Sequence, residues 1–378
     1  MSNRTNGTRE LSVAFLGIRH PHVFPRLSIA QNANDVVVRG FFEENEGIAA
    51  RFEQETGLPS FSSAEELLRT RPDLVIIEGL DTQVPTLATA SAPYARALLL
   101  EKPGAPDRRT MDQMVRELGR YDVEVEVGYQ LHYSDGIELC REVLGSGALG
   151  QVTLARFHAG CPIGCGDELW QSVPGDLGGV MYTEGCHMLE LIVNTLGMPE
   201  SVCGTIKKLP KGSTITSDVV KEDLFSDIGN VKEVTVGNLM YEDVGAAILF
   251  YADKVATLDV TSWEATDWVQ DWRMEYYGTN GTLTLTPAPP KFQLLLRTPR
   301  AGYGAGETTF SGSGGPRGPE VSLVPDAAYH RQLKGLMDRL RENQSASQRS
   351  LRTAQGVVHV LDAIYKSSRE NMTLTLMD

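Results

Sequence analysis

Long apolar runs are missing from this 378-residue chain, and none approaches the length of a membrane span. Residues 1–10 are polar, lack the apolar core of a secretory signal, and read as a disordered tail. Cysteine is scarce and odd in number, five in all, which suits free thiols in a reducing, cytoplasmic compartment. Positive charge is in deficit: 35 Lys and Arg face 49 Asp and Glu, a net charge of −14. Nucleic acids and anionic membranes are held by basic patches, so neither is an expected partner. No internal repeat is present. What remains is an ordinary soluble composition, 41% hydrophobic and 22% charged, with length enough for two domains.

One stretch organises the rest. Ala97 to Leu100 is a short apolar strand, stopped abruptly by Glu101, Lys102 and Pro103. Ligands of an open parallel sheet sit at the carboxyl ends of its strands, so a lysine there faces a crevice. Pro103 stiffens the corner. Upstream, 11–17, 36–42 and 74–77 read as strands, and helices are expected from Pro21 to Gln31, through Leu68 behind overlapping Ser62/Ser63 capping boxes, and from Val84 to Tyr94. A helix carrying Met111, Met114, Val115 and Leu118 leads to alternating Val123, Val125 and Val127. Strands alternating with helices mean a doubly wound parallel α/β sheet. From about residue 129 the texture changes. Ser134 is placed to cap a helix with Ile137, Cys140 and Leu144. Strands are expected at 151–158, 201–207, 231–239, 244–251, 255–263, 271–277 and 282–286, with hairpin turns at 252–254 and 279–281, as one antiparallel sheet. Residues 287–320, rich in Pro and Gly, read as a mobile excursion. Two helices follow, carrying Tyr329, Leu333, Leu336 and Leu340, then Val357, Leu361 and Ile364.

A strand, a glycine turn and a helix N-terminus make an anion site. The dinucleotide fingerprint is G-x-G-x-x-G; this chain has Gly17-Ile-Arg19-His20-Pro-His22, keeping the first glycine and replacing the others with Arg19 and His22. Arg19 can clamp phosphate through its side chain. Glu43 ends the second strand, where an acid bonds ribose hydroxyls and repels a 2′-phosphate, favouring NAD over NADP.

Several motifs in order resemble the Gfo/Idh/MocA family of NAD(P)-dependent oxidoreductases: Glu101-Lys-Pro-Gly104, Val127-Gly-Tyr-Gln130, Ser146-Gly-Ala-Leu-Gly150, Gly178-Gly179 with His187, Tyr277-Gly-Thr-Asn-Gly-Thr-Leu283, and Ala363-Ile-Tyr-Lys-Ser-Ser368. The resemblance implies a Rossmann domain over 11–128. It implies a second, α+β domain over 129–378, with a large, mostly antiparallel open sheet through which a homodimer or homotetramer forms. The implied substrates are sugars, cyclitols and related polyols or ketones. Gly17, Arg19, His20, His22, Glu43, Glu101 and Lys102 make the expected cofactor set, and no metal is expected.

Oxidising a carbinol needs a base for the hydroxyl proton and a charge beside the developing alkoxide. A positioned base is worth roughly 10²–10⁴ in rate. The family pattern places these roles on His187 and Lys102. Four residues before the histidine, where the family has Asp, stands Thr183, flanked by Tyr182 and Glu184 as substitute acids. Tyr129, Gln130 and His132 match substrate contacts; His132 is either a second proton carrier or a loop histidine. Trp170 and Asp176 are placed in the same substrate loop. His158, Cys161, Cys165, Cys186 and His187 read as loop thiols and histidines rather than a zinc set. Trp263, Trp268 and Trp272 are expected to pack sheet faces or a subunit interface. A different class of function stays open: a non-redox relative, either a nucleotide-binding regulator or an elimination or isomerisation enzyme with recycled cofactor.

Overall fold

Five apolar runs that end on glycine or charge build the first sheet. The computed structural model describes residues 10–160, 179–208, 214–217, 234–237, 241–264, 272–286, 291–311 and 325–376. The disordered-tail expectation for 1–10 falls, except for exposed Glu10, outside them. In order come β1 (Leu11–Ile18), α1 (Val23–Asn32), β2 (Val36–Phe42), α2 (Glu46–Thr56), α3 (Ala64–Leu68), β3 (Leu74–Glu78), α4 (Val84–Ser91), β4 (Ala97–Leu100), α5 (Arg108–Leu118) and β5 (Glu124–Val127). The sheet order is β2-β1-β3-β4-β5 and every pairing is parallel. Every residue of β1, β3 and β4 is buried, as strands covered on both faces must be. The strand order reverses at β1 and β3, so their carboxyl ends open a crevice.

Local chemistry sets the ends of these elements. The helix expected from Pro21 starts at Val23, because the amides of Val23 and Phe24 bond back to the carbonyls of His20 and Pro21 as a tight turn, leaving His22 at the cap. Only one capping contact forms at α3, with Ser63 Oγ accepting from the Glu66 amide; the Glu66 carboxylate turns to Ser62 instead. The helix expected to reach Tyr94 ends at Ser91; Ala92 keeps helical dihedrals, and Pro93 has no amide hydrogen to continue the ladder.

A second compact unit comprises 106–108, 129–328 and 353–378, whereas 1–105, 109–128 and 329–352 form the first. The second carries a 3-10 turn (Gln130–Tyr133), α6 (Asp135–Ser146), β6 (Val152–Gly160), α7 (Val180–Thr183), α8 (Gly185–Leu196), β7 (Ser201–Lys207), β8 (Thr214–Ser217), β9 (Val234–Gly237), β10 (Val244–Phe250), β11 (Val255–Thr261), β12 (Arg273–Gly278), β13 (Gly281–Thr286), β14 (Lys291–Leu296) and β15 (Gly306–Ser311). The helices α9 (Pro325–Arg341) and α10 (Arg349–Glu370) and the short β16 (Leu374–Thr375) close the chain. Ser134 takes the N-cap position of α6 without a side-chain capping bond.

Nine strands form one sheet in the order β15-β14-β13-β12-β6-β11-β10-β7-β16. Two expectations are corrected here. The sheet is not wholly antiparallel, since β6 and β11 pair in parallel, and β8 and β9 form a separate two-stranded sheet. The excursion expected over 287–320 contains β14 and β15, both paired into the large sheet. Its alternating Phe292, Leu294 and Leu296 are buried, and that burial outweighs the flanking prolines. One face of the sheet lies on α7 and α8; the other leaves Ile248 and Leu295 exposed.

Candidate active site

In the first unit, β1 ends at a glycine that nothing else can replace. Gly17 has φ +67°, and a Cβ there would lie 2.7 Å from Gly79 Cα at the end of β3. Beside it opens a cavity of about 210 Å³ lined by Gly17, Glu43, Glu44, Thr82, Gln83 and Thr86 among others. Glu43 is buried, and its two oxygens accept from the amides of Ile18 and Asn45, each at 3.1 Å. Burial raises its pKa, and those two bonds oppose the rise. Each oxygen keeps a lone pair, so the carboxylate still accepts from a ligand hydroxyl. Thr82, Gln83 and Thr86 were not singled out from sequence, although the loop after Gly79 follows a strand's carboxyl end and was open to that reading.

The other residues of the expected cofactor set gather elsewhere in this unit. The rings of His20 and His22 lie against each other, tilted by 58°, with centroids 4.1 Å apart. Glu101 meets both, at 3.4 Å from His20 Nε2 and 2.9 Å from His22 Nδ1. Arg26, fully buried on α1, pairs with Glu78 and lies 3.5 Å from Glu101. The guanidinium fits because residue 128 is glycine: a Cβ there would lie 2.3 Å from Arg26 Nη2. Burial pushes both imidazoles well below their usual pKa, and the charges of Arg26 and Lys102 push the same way, so both rings are neutral near pH 7. Burial pushes Glu78 well above the carboxylate range, against the pull of Arg26. Glu78 and Arg26 escaped the sequence reading, yet Glu78 ends an apolar strand just as Glu101 follows one. Arg19 is half-buried, and it is not in the cavity wall.

Few backbone donors remain at the start of α1. Pro21 has none, the His20 amide bonds Glu78 O, and the His22 amide bonds His20 Nδ1. Lys102 is 4% exposed, two residues past the end of β4, and joined to Pro103 by a cis bond.

In the second unit, His187 lies in the first turn of α8, 2% exposed, between the rings of Tyr129 (6.0 Å, edge-on) and Trp272 (5.7 Å). Trp272 is itself fixed by its Nε1–H donating to Gly160 O at 2.7 Å. Gln130 is wholly buried, and neither atom of its side-chain amide has a hydrogen-bond partner among the described residues. Leaving such groups unpaired costs about 1–3 kcal/mol. Thr183 is buried and its hydroxyl donates to Gly179 O at 3.2 Å. Tyr182 is buried beside it and Glu184 takes the N-cap of α8.

His132 meets Glu190 at Nδ1 (3.0 Å) and Arg141 at Nε2 (3.1 Å). Arginine only donates, so Nε2 accepts and the ring's proton sits on Nδ1. A buried acid missed from sequence is Glu242, which accepts from the Met181 amide and from Tyr365 Oη; burial raises its pKa. His158 bridges Asp259 and Glu264, and Cys186 donates to Thr183 O. Trp170, Asp176, Cys161, Cys165 and Trp268 lie outside the described residues.

Residues 14–129 match the family model described as an oxidoreductase family with an NAD-binding Rossmann fold, and residues 137–284 match the GFO/IDH/MocA C-terminal domain. Three solved structures illustrate the fold. A levoglucosan dehydrogenase in complex with NADH and levoglucosan is 15% identical, with 97% of this chain and 100% of that one covered and a TM-score of 0.78. An oxidoreductase from Agrobacterium radiobacter in complex with NAD+, L-tartaric acid and magnesium is 16% identical, covering 97% and 98%, with a TM-score of 0.74. The WlbA dehydrogenase from Bordetella pertussis with NADH and UDP-GlcNAcA is 16% identical, covering 97% and 99%, with a TM-score of 0.70. No curated protein matches the chain. Among the described residues no helix is long and apolar enough to cross a membrane.

Proposed function

We propose, because the chain belongs to the Gfo/Idh/MocA family of oxidoreductases, that it is an NAD-dependent dehydrogenase or reductase. It transfers hydride between nicotinamide and a carbinol or ketone of a sugar, cyclitol or related polyol, with Lys102 and His187 as its catalytic pair. The observation that carries the cofactor half is the cavity at the ends of β1 and β2, where Gly17 allows close approach and Glu43 offers a carboxylate to ribose hydroxyls. The same carboxylate repels a 2′-phosphate, hence NAD rather than NADP. With the backbone donors at the start of α1 already engaged, the Arg19 side chain is the group left to meet phosphate.

The bound dinucleotide supplies the hydride donor or acceptor; the chain supplies the rest. In the oxidation direction His187 takes the hydroxyl proton and Lys102 stabilises the alkoxide charge that develops as the proton leaves. Tyr129 and Trp272 keep the imidazole in place and exclude water from it. Gln130, whose buried amide has no partner among the described residues, binds a substrate hydroxyl. Tyr182 and Thr183 border the same polar wall, and the Thr183 hydroxyl is a hydrogen-bonding group rather than a base. His132, locked in one tautomer, acts as an orienting residue, not a proton carrier. Trp170 belongs to the substrate loop of this reading. A homodimer or homotetramer forms through the large sheet, whose outer face exposes Ile248 and Leu295.

A polyol panel, followed by absorbance of the reduced nicotinamide, tests the reading. Turnover of at least one polyol is expected. Lys102→Ala and His187→Ala each lower kcat by roughly 10²–10³ and leave the affinity for NADH within about twofold. No turnover across sugars, cyclitols and polyols in either direction, or equal loss of NADH affinity in both variants, contradicts it.

A further inference from the structure

Two buried carboxylates face each other beside two imidazoles in the first unit, and we propose that His20, His22, Glu78 and Glu101 bind one divalent transition-metal ion. The four residues come from the turn after β1 and from the ends of β3 and β4, and their donor atoms all lie within 4.8 Å of one another. Donors placed about 2.0–2.2 Å from a common ion lie roughly 3–3.5 Å apart. Glu101 has that spacing to both imidazoles, 3.4 Å to His20 Nε2 and 2.9 Å to His22 Nδ1. A mixed set of imidazole and carboxylate selects zinc, iron or cobalt over calcium or magnesium.

Polar satisfaction points the same way. Among the described residues, Glu78 Oε2 and Glu101 Oε1 have no hydrogen-bond partner, and each residue is at most 1% exposed. Two carboxylates in contact need a shared proton or a cation between them. Arg26 offsets one negative charge: it holds Glu78 by Oε1 and lies 3.5 Å from Glu101 Oε2. That is how a partner outside a metal's own ligands orients a ligating carboxylate. One contact is given up: the 3.3 Å bond from the His22 amide to His20 Nδ1, since a ring bound through Nε2 carries its proton on Nδ1.

The site uses neither Gly17 nor Glu43, but His20, His22 and Glu101 also belong to the expected cofactor set, so its test is run with no nicotinamide and no substrate. The full chain, dialysed against chelator, is titrated with CoCl2 and read by visible d–d absorption, with metal content measured on the dialysed complex. One Co2+ per chain is expected, with bands of a four- or five-coordinate nitrogen and oxygen site and no thiolate charge-transfer band. His22→Ala and Glu78→Gln are each expected to weaken binding by about tenfold or more, with the far-UV spectrum and a cooperative melt retained. If Glu78→Gln does not fold, His22→Ala, at a half-buried position, decides. No saturable binding overturns the proposal and leaves a shared proton between the two carboxylates. Unchanged affinity in the folded variants overturns it as well, and so does a thiolate band, which would place the ion on cysteine.

Discussion

Removing the Arg26 guanidinium should cost the first unit more than any surface charge can. In Arg26→Met the apolar volume is largely kept, but Glu78 and Glu101 lose the cation that pairs them inside a fully buried cluster. Breaking a buried pair by removing one partner costs about 3–5 kcal/mol, because the remaining charge is left uncompensated. At about 2–4 °C per kcal/mol for a unit of this size, the melting temperature falls by roughly 6–20 °C. The pH dependence follows from the sign of the shift. Burial already raises Glu78 above its unfolded pKa, and loss of Arg26 raises it further. A raised carboxyl contributes its stability below the unfolded value and loses it as pH rises through the folded one. The variant is therefore penalised more at pH 8 than at pH 5.5, and the double variant Arg26→Met/Glu78→Gln recovers at least half of the loss. Differential scanning calorimetry in chelator-treated buffer at both pH values reads all three numbers. A loss under about 2 °C, or one equal at the two pH values, would refute the buried-cluster argument.

Glu43→Ala should weaken NADH binding by about tenfold, the loss of one charge-assisted bond to a ribose hydroxyl, and should narrow the preference over NADPH; fluorescence titrations with both coenzymes check it, and unchanged discrimination counts against Glu43. His158 is raised above its ordinary pKa by its bond to Asp259 and then by Glu264. That increment is fully present below the unfolded value near 6.5 and disappears as pH rises through the raised one. His158→Gln should therefore lower the melting temperature more at pH 6 than at pH 9, and an equal change at both would remove the charge from the explanation. Gly128→Ala should destabilise the first unit, because its methyl would sit 2.3 Å from Arg26 Nη2; a melting temperature equal to that of the wild type would show that the guanidinium moves aside at no cost.

The parallel sheet was legible because its strands are apolar on both faces and are stopped by glycine or charge. Continuous apolar runs of this kind need no pairing partner to be recognised: Leu74 to Ile77 and Ala97 to Leu100 read as strands from composition alone. Strand direction was not legible in the second unit. Alternation reports which face is buried, not which neighbour pairs, so the parallel β6–β11 contact left no mark in the sequence. Proline and glycine around β14 hid an alternation that was present in Phe292, Leu294 and Leu296. Of the candidate site, Gly17, Glu43 and Lys102 were singled out because each stands near a strand's end, and His187 through the resemblance to the family. Arg26 was not, since an arginine on a helix ordinarily reads as solvated, and only Glu78, Glu101 and the missing Cβ of Gly128 explain its burial.

NADH titrated into the full chain, followed by energy transfer from tryptophan to the reduced nicotinamide, asks the plainest question of all. Saturable transfer with one site per chain, weaker for NADPH and preserved in Lys102→Ala, is the expected result. Absence of transfer or quenching with either coenzyme at millimolar concentration would contradict the dehydrogenase account at its root.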